Sequence, residues 1–210
     1  MRVVRADADG ADAAAAVLRA GGVVVIPTDT VYGLAARPAD ADAVGTVYRI
    51  KGRPEGMPLP VLAASEEQAR ALGVAYGGVA QSLAARWWPG PLTLAFAFDP
   101  GAARPKWLEG RDEVAVRVPD HDFLRGLLAE TGVLVVTSAN RHGAPTPRAP
   151  DDVASALGPD VGLVVDGGVL HEVPSTLVNV AGREPVVERE GAIERGAIEA
   201  AIEAALKTAT

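Results

Sequence analysis

The chain has 210 residues, 20 of them Lys or Arg against 27 Asp or Glu, a formal net charge of −7, and 49% hydrophobic residues. That length can bury a self-sufficient core as one domain. The hydrophobic content excludes a disordered chain, and the acidic balance argues against a nucleic-acid binder covered in positive charge.

The first ten residues carry Arg2 and Arg5, but no apolar run follows, so they do not read as a signal peptide. No stretch reaches the ~18 consecutive apolar residues of a membrane helix. Helical patterns at 12–20, 41–50 and 66–72 close on Gly21, Gly52 and Gly73, and Ser65 with Gln68 has the spacing of a capping box. Further helices are expected at 79–87, 123–130, 152–157 and 192–206. Short Val- or Leu-rich runs at 22–27, 59–64, 92–98, 114–118, 132–136 and 162–165 read as strands buried on both faces. The alternation predicts a single α/β domain, residues 1–210, built on a mixed sheet. The proline-rich 143–150 reads as an ordered loop. The absence of cysteine excludes thiolate nucleophiles, cysteine–zinc sites and disulfides, and suits a cytoplasmic protein.

Several segments carry chemistry. In Pro27-Thr28-Asp29-Thr30-Val31-Tyr32-Gly33-Leu34 a buried strand delivers three small polar residues to its carboxyl end, where open α/β sheets bind ligands. Taken alone, it reads as a strand-to-loop turn with Asp29 as its cap. In Lys51-Gly52-Arg53-Pro54 a helix ends, and two cations two residues apart share one side of an extended chain. A compact ammonium beside a forked guanidinium suits a polyphosphate. The helix dipole accounts for Lys51 but not for Arg53. No G-x-x-x-x-G-K-[ST] run is present, so a nucleotide site here would not be a P-loop.

Arg86-Trp87-Trp88-Pro89-Gly90-Pro91-Leu92-Thr93 reads as scaffold around a tight turn, with Thr93 a lesser site candidate. Arg117 sits inside the alternating strand Glu113-Val114-Ala115-Val116-Arg117-Val118, where burial requires a partner. A structural salt bridge and a substrate carboxylate or phosphate both meet that need. In Thr137-Ser138-Ala139-Asn140 a buried strand again empties into hydroxyl and amide groups. No G-x-S-x-G elbow surrounds Ser138, so Ser138 and Asn140 read as hydrogen-bonding partners of phosphate oxygens. His121, His142 and His171 lack metal spacing. Ser175 and Thr176 open a strand, and Arg189 closes another before a helix capped around Gly191.

Together and in this order, the segments resemble the YrdC-like family of threonylcarbamoyl-AMP synthases over residues 21–193. The family's paired signature, Lys-x-Arg and later Ser-x-Asn, falls on Lys51, Arg53, Ser138 and Asn140. The resemblance implies a twisted mixed β-sheet flanked by helices, with a concave ligand cleft. It implies a nucleotidyltransferase that makes threonylcarbamoyl-AMP and pyrophosphate from L-threonine, bicarbonate and ATP, with Mg²⁺ on the triphosphate. The product serves the N6-threonylcarbamoyladenosine modification at tRNA position 37, so the partner would be the transferase complex that consumes it. Net charge −7 argues against direct tRNA binding, and no membrane partner is expected.

By the same resemblance, Thr28, Arg117 and Ser175 would bind the threonine. Lys51, Arg53, Ser138, Asn140, Thr146 and Arg189 would surround the ATP, with the signature four as catalytic residues. Many members carry Asn at Met57, His at Leu62, Ser at His142 and Asp at Asn179. A paralogue that binds nucleotide or RNA without this chemistry is the alternative.

Overall fold

The computed structural model describes residues 2–54, 57–170 and 173–208. In chain order the elements are β1 (Arg2–Arg5), α1 (Ala8–Arg19), β2 (Val24–Ile26), β3 (Gly33–Ala36), α2 (Ala41–Lys51), β4 (Val61–Leu62), α3 (Glu66–Arg70) and α4 (Gly78–Trp87). Then follow β5 (Leu92–Ala97), a 3₁₀ turn (Lys106–Leu108), β6 (Glu113–Arg117), α5 (Asp122–Thr131), β7 (Leu134–Ser138), α6 (Pro150–Leu157), β8 (Leu163–Asp166), β9 (Thr176–Asn179), β10 (Val186–Arg189) and α7 (Arg195–Thr208). His171 lies outside the described residues.

The ten strands form one mixed, twisted sheet in the order β1-β8-β2-β3-β7-β4-β6-β5-β9-β10. This is the expected α/β architecture with helices on the sheet. Side chains alternate between two apolar layers. Val24 and Ile26 of β2 join Leu18 of α1 and Leu124, Leu127 and Leu128 of α5. Val25, between them, points to the other layer with Val47 of α2, Leu83 of α4, Val153 of α6 and Ile198 of α7. Period-two alternation on a doubly covered strand is what makes the run Val-Val-Ile apolar throughout. Among the described residues no helix is long and apolar enough to cross a membrane.

Beyond β2, β3, β7 and β4 the layer formed with α1 and α5 runs out. On β5, Leu92, Leu94 and Phe96 are buried in the core, while Thr93 and Ala95 face a cavity. On β6, Val114 and Val116 are core, and Glu113, Ala115 and Arg117 face that cavity. One face of the sheet therefore carries small and polar residues where a helix would otherwise pack.

Three elements differ from expectation. β1 and β3 were not legible as strands: β1 is a basic, largely exposed edge paired with β8, and β3 reads Gly-Leu-Ala-Ala, poor in β-formers. The last helix begins at Arg195, so Gly191 is not its cap. A Cβ on Gly191 would lie 2.3 Å from the Pro174 carbonyl oxygen and 2.6 Å from the Ser175 carbonyl. Gly191 is thus the residue that lets the chain after β10 touch the segment entering β9. Thr176 seals that contact, its hydroxyl accepting from Gly191 N (3.0 Å) and Ile193 N (2.9 Å) and donating to Ile193 O (2.7 Å). Gly191→Ala is expected to cost about 1–3 kcal/mol by overpacking, read as a lowered thermal midpoint in calorimetry; an unchanged midpoint would contradict the packing argument.

Trp88 serves as scaffold, as the sequence suggested: its indole N–H donates to Leu92 O (2.7 Å), and its ring packs near Tyr76 and Phe96. His121 caps α5 through Nδ1, which accepts from Leu124 N at 3.4 Å.

Candidate functional site

The loops at the strand ends and the uncovered face enclose a cavity of about 380 Å³. It is lined by Thr28, Lys51, Arg53, Arg117, Ser138, Asn140, Ser175 and Arg189, eight of the nine residues singled out from the sequence. Thr146 does not line it; its hydroxyl donates to Asn140 Oδ1 at 3.3 Å. Thr30, Thr93, Glu113, His142 and Glu188 also line the cavity.

Lys51 is the last residue of α2, which Asp40 caps at its start and Gly52 ends in the left-handed conformation at φ 60°. Only 3% of Lys51 is exposed. Its ammonium donates to Ser138 O (2.6 Å) and Asn140 O (2.8 Å), with Asn140 Oδ1 at 3.3 Å and Ser138 Oγ at 3.5 Å. The Lys51 carbonyl in turn accepts from His142 N at 2.7 Å. Burial, and secondarily the neighbouring Arg53, push the Lys51 pKa down to about 8. Ser138 Oγ donates to Asn140 Oδ1 at 2.5 Å, and Asn140 Nδ2 donates to Ala144 O (2.6 Å) and Arg141 O (3.0 Å). Lys51, Ser138 and Asn140 thus form a closed network that shapes the loop after β7.

Arg117 is 5% exposed and fully engaged on one side. It donates from Nη2 to Asp29 Oδ1 (2.5 Å), from Nη1 to Thr30 Oγ1 (2.9 Å) and from Nε to Gly90 O (2.9 Å). Three of its five N–H groups are used, leaving two for a ligand. The structural salt bridge expected of Arg117 is therefore present. Asp29 is its counter-ion, and the turn cap is Thr28 instead. The Thr28 hydroxyl accepts from Thr30 N (3.0 Å) and Val31 N (3.1 Å) and donates to Val31 O (2.7 Å).

Arg189 reaches across to β9, donating from Nη2 to Ser175 O (2.8 Å) and Ser175 Oγ (3.1 Å) and from Nε to Ser175 O (3.1 Å). Burial, then repulsion from Arg117 and Arg53, lowers its pKa. Arg53 donates to Pro58 O (3.0 Å), while its buried Nε has no partner among the described residues. Four cations thus crowd one cavity. Among the lining residues the carboxylates are Glu113 and Glu188, both held by Asn179 Nδ2 at 3.1 and 2.8 Å. No group of three or more His, Asp or Glu side chains that could hold a metal ion occurs among the described residues.

Residues 16–191 match the Sua5/YciO/YrdC family model, whose description reads "Telomere recombination". The chain belongs to the Sua5/YciO/YrdC family. One relative in that family, the threonylcarbamoyl-AMP synthase of Bacillus subtilis (strain 168), is 40% identical over 191 residues, 90% of this chain and 55% of the relative. The threonylcarbamoyl-AMP synthase of Marinobacter nauticus is 36% identical over 164 residues, 77% of this chain and 86% of that protein. Among solved structures, Pyrococcus abyssi Sua5 complexed with L-threonine superposes with a TM-score of 0.85 at 34% identity, covering 96% of this chain and 60% of that one. The chain spans just over half the length of its Bacillus and Pyrococcus curated relatives.

Proposed function

We propose that the chain is an L-threonylcarbamoyladenylate synthase. It would form threonylcarbamoyl-AMP and pyrophosphate from L-threonine, bicarbonate and ATP, for the threonylcarbamoyl modification of adenosine 37 in tRNA. The observation that carries this reading is the convergence of Lys51, Arg53, Arg117 and Arg189 on one cavity beside hydroxyl groups. Relatives named as this synthase, and a Sua5 structure holding L-threonine, support it.

The chemistry asks for that arrangement. The threonine amine combines with CO₂ from bicarbonate to give a carbamate, releasing a proton. A carbamate oxygen then attacks the α-phosphorus, and the bond to pyrophosphate breaks. Both reactants are anions, so the site must neutralise charge and hold them in line more than it must supply an acid–base pair. Arg117 and Ser175 would bind the threonine carboxylate, with Thr28 shaping that pocket through its turn. Arg53, with its unpartnered Nε, and Arg189 would hold ATP phosphates. Lys51, Ser138 and Asn140 would shape the phosphate-side wall, with Thr146 bracing Asn140. Mg²⁺ would be held largely by phosphate oxygens and water. A cysteine-free chain suits the cytoplasm. There the product would pass to the tRNA threonylcarbamoyl-transferase complex, with no need for this acidic chain to hold tRNA.

Pyrophosphate release from ATP that requires both L-threonine and bicarbonate tests the reading; release without threonine, or none at all, favours a nucleotide- or RNA-binding paralogue. Arg53→Ala is expected to raise the KM for ATP about 10- to 100-fold, the worth of a hydrogen bond to a charged group, with the threonine KM little changed.

A further inference from the structure

Thr93 faces the cavity from β5, directly beside Ser175 at the entry to β9, and the two strands pair in parallel. The side-chain oxygens lie 2.8 Å apart, and the residues are 5% and 7% exposed. Ser175 Oγ also accepts from Arg189 Nη2 at 3.1 Å, and a guanidinium can only donate. Thr93 Oγ1 has no other hydrogen-bond partner among the described residues.

Either oxygen of this pair can be the donor, so proton counting leaves two polarities. The two hydroxyls carry two protons, and one is used between them. The other has no acceptor among the described residues and is free to be offered to the cavity. When Thr93 donates, both lone pairs of Ser175 Oγ are filled, by Thr93 and Arg189, and the Ser175 proton is the free one. That arrangement is favoured, because accepting two donors polarises the serine O–H and strengthens it as a donor. The group it suits is an oxyanion; a cation or an amide N–H would leave it unpaired.

We propose that Thr93 is a positioning residue that biases Ser175 to act as an O–H donor for the carboxylate of the amino-acid substrate. The inference rests on the proposed synthase reading, and it adds to Arg117 a second, directional contact whose orientation is set one residue away from the ligand. Arg117 supplies charge, whereas the Thr93–Ser175 pair supplies a single proton at a defined place. The pair also explains why Thr93, the lone polar residue on a strand reading Leu-Thr-Leu-Ala-Phe-Ala, tolerates burial.

The test is calorimetric titration of L-threonine into the full chain and its Thr93→Val and Thr93→Ser variants, alongside steady-state kinetics. Thr93→Val keeps the shape and removes the hydroxyl. Its Kd for L-threonine is expected to rise about 10- to 100-fold, with the ATP KM within twofold of the parent and the thermal midpoint held. Thr93→Ser restores binding to within a few-fold. Equal threonine binding by the parent and Thr93→Val overturns the inference, as does a rise confined to the ATP KM, which would assign the donor to a phosphate. Failure of Thr93→Ser to rescue would mark the position as one of packing alone and would also overturn it. If the parent itself binds no threonine, the synthase reading falls instead, so the two failures are distinct.

Discussion

Lys51→Ala is expected to lower pyrophosphate release at least ~100-fold while the chain still folds. The reason is not a lost phosphate contact. The ammonium holds two backbone carbonyls of the loop after β7, Ser138 O and Asn140 O, and contacts the Asn140 side chain. Removing it leaves buried acceptors unpaired, at about 1–3 kcal/mol each, and frees the wall that carries Ser138 and Asn140. The defect should therefore appear mainly in kcat, because the site loses its geometry and not one binding contact. The same clamp predicts a pH profile. With the pKa lowered to about 8, the ammonium is intact below that pH and lost as pH rises through it. Activity should fall with that transition. Stability should move the other way: from pH 8 up to 10.5, its ordinary value, the unfolded chain binds the extra proton, so the burial cost of the charged form is relieved. Near-normal release by Lys51→Ala, or a flat profile between pH 7 and 9, would refute the clamp.

Arg117→Ala is expected to have two separable effects. It strands Asp29, 13% exposed on its side chain, without its counter-ion. Breaking a buried pair by removing one partner costs about 3–5 kcal/mol, visible as a large drop in thermal midpoint. It should also raise the L-threonine KM by ~100-fold or more, through loss of a charge-assisted contact to the carboxylate. The double variant Asp29→Asn/Arg117→Ala separates the two: stability recovers in part, and threonine affinity does not. Lys at position 117 is no substitute, because one ammonium cannot reach Asp29, Thr30, Gly90 and a ligand together. Recovery of threonine affinity in the double variant would confine Arg117 to a structural role.

Much of the fold and site was legible because the relevant signals were local. Val24–Ile26 and Leu134–Ser138 are apolar runs that empty into polar residues, and that pattern marks both a buried strand and its ligand-facing end. Lys51 and Arg53 stood out as cations where a helix stops. Their separate fates did not, because nothing local says that the Ser138 and Asn140 carbonyls, 87 and 89 positions away, will meet the ammonium. Asp29 reads as a local cap for the same reason: its partner Arg117 is 88 positions on. Glu113 and Glu188 were missed as cavity residues, although β6 carries a usable signal. Its alternation puts Glu113, Ala115 and Arg117 on one face, and two charges flanking alanine on a strand face mark a surface that no helix covers. β3 remained hidden because Gly-Leu-Ala-Ala has weak strand preference and is held by pairing with β2 and β7.

The strand order carries a consequence for how the molecule is made. β5 pairs with β6 on one side and with β9 on the other, Leu92 opposite Thr176. A ribosome releases β5 and β6 well before β9, so a nascent chain holds an open, apolar strand edge while residues 118–175 are still being synthesised. Sheet closure across such sequence distances is slow. The ligand cavity, which needs Ser175 and Arg189, forms with the last strands. Synthesis that stalls before residue 176 would thus leave a product that is both inactive and prone to pair with a neighbouring chain.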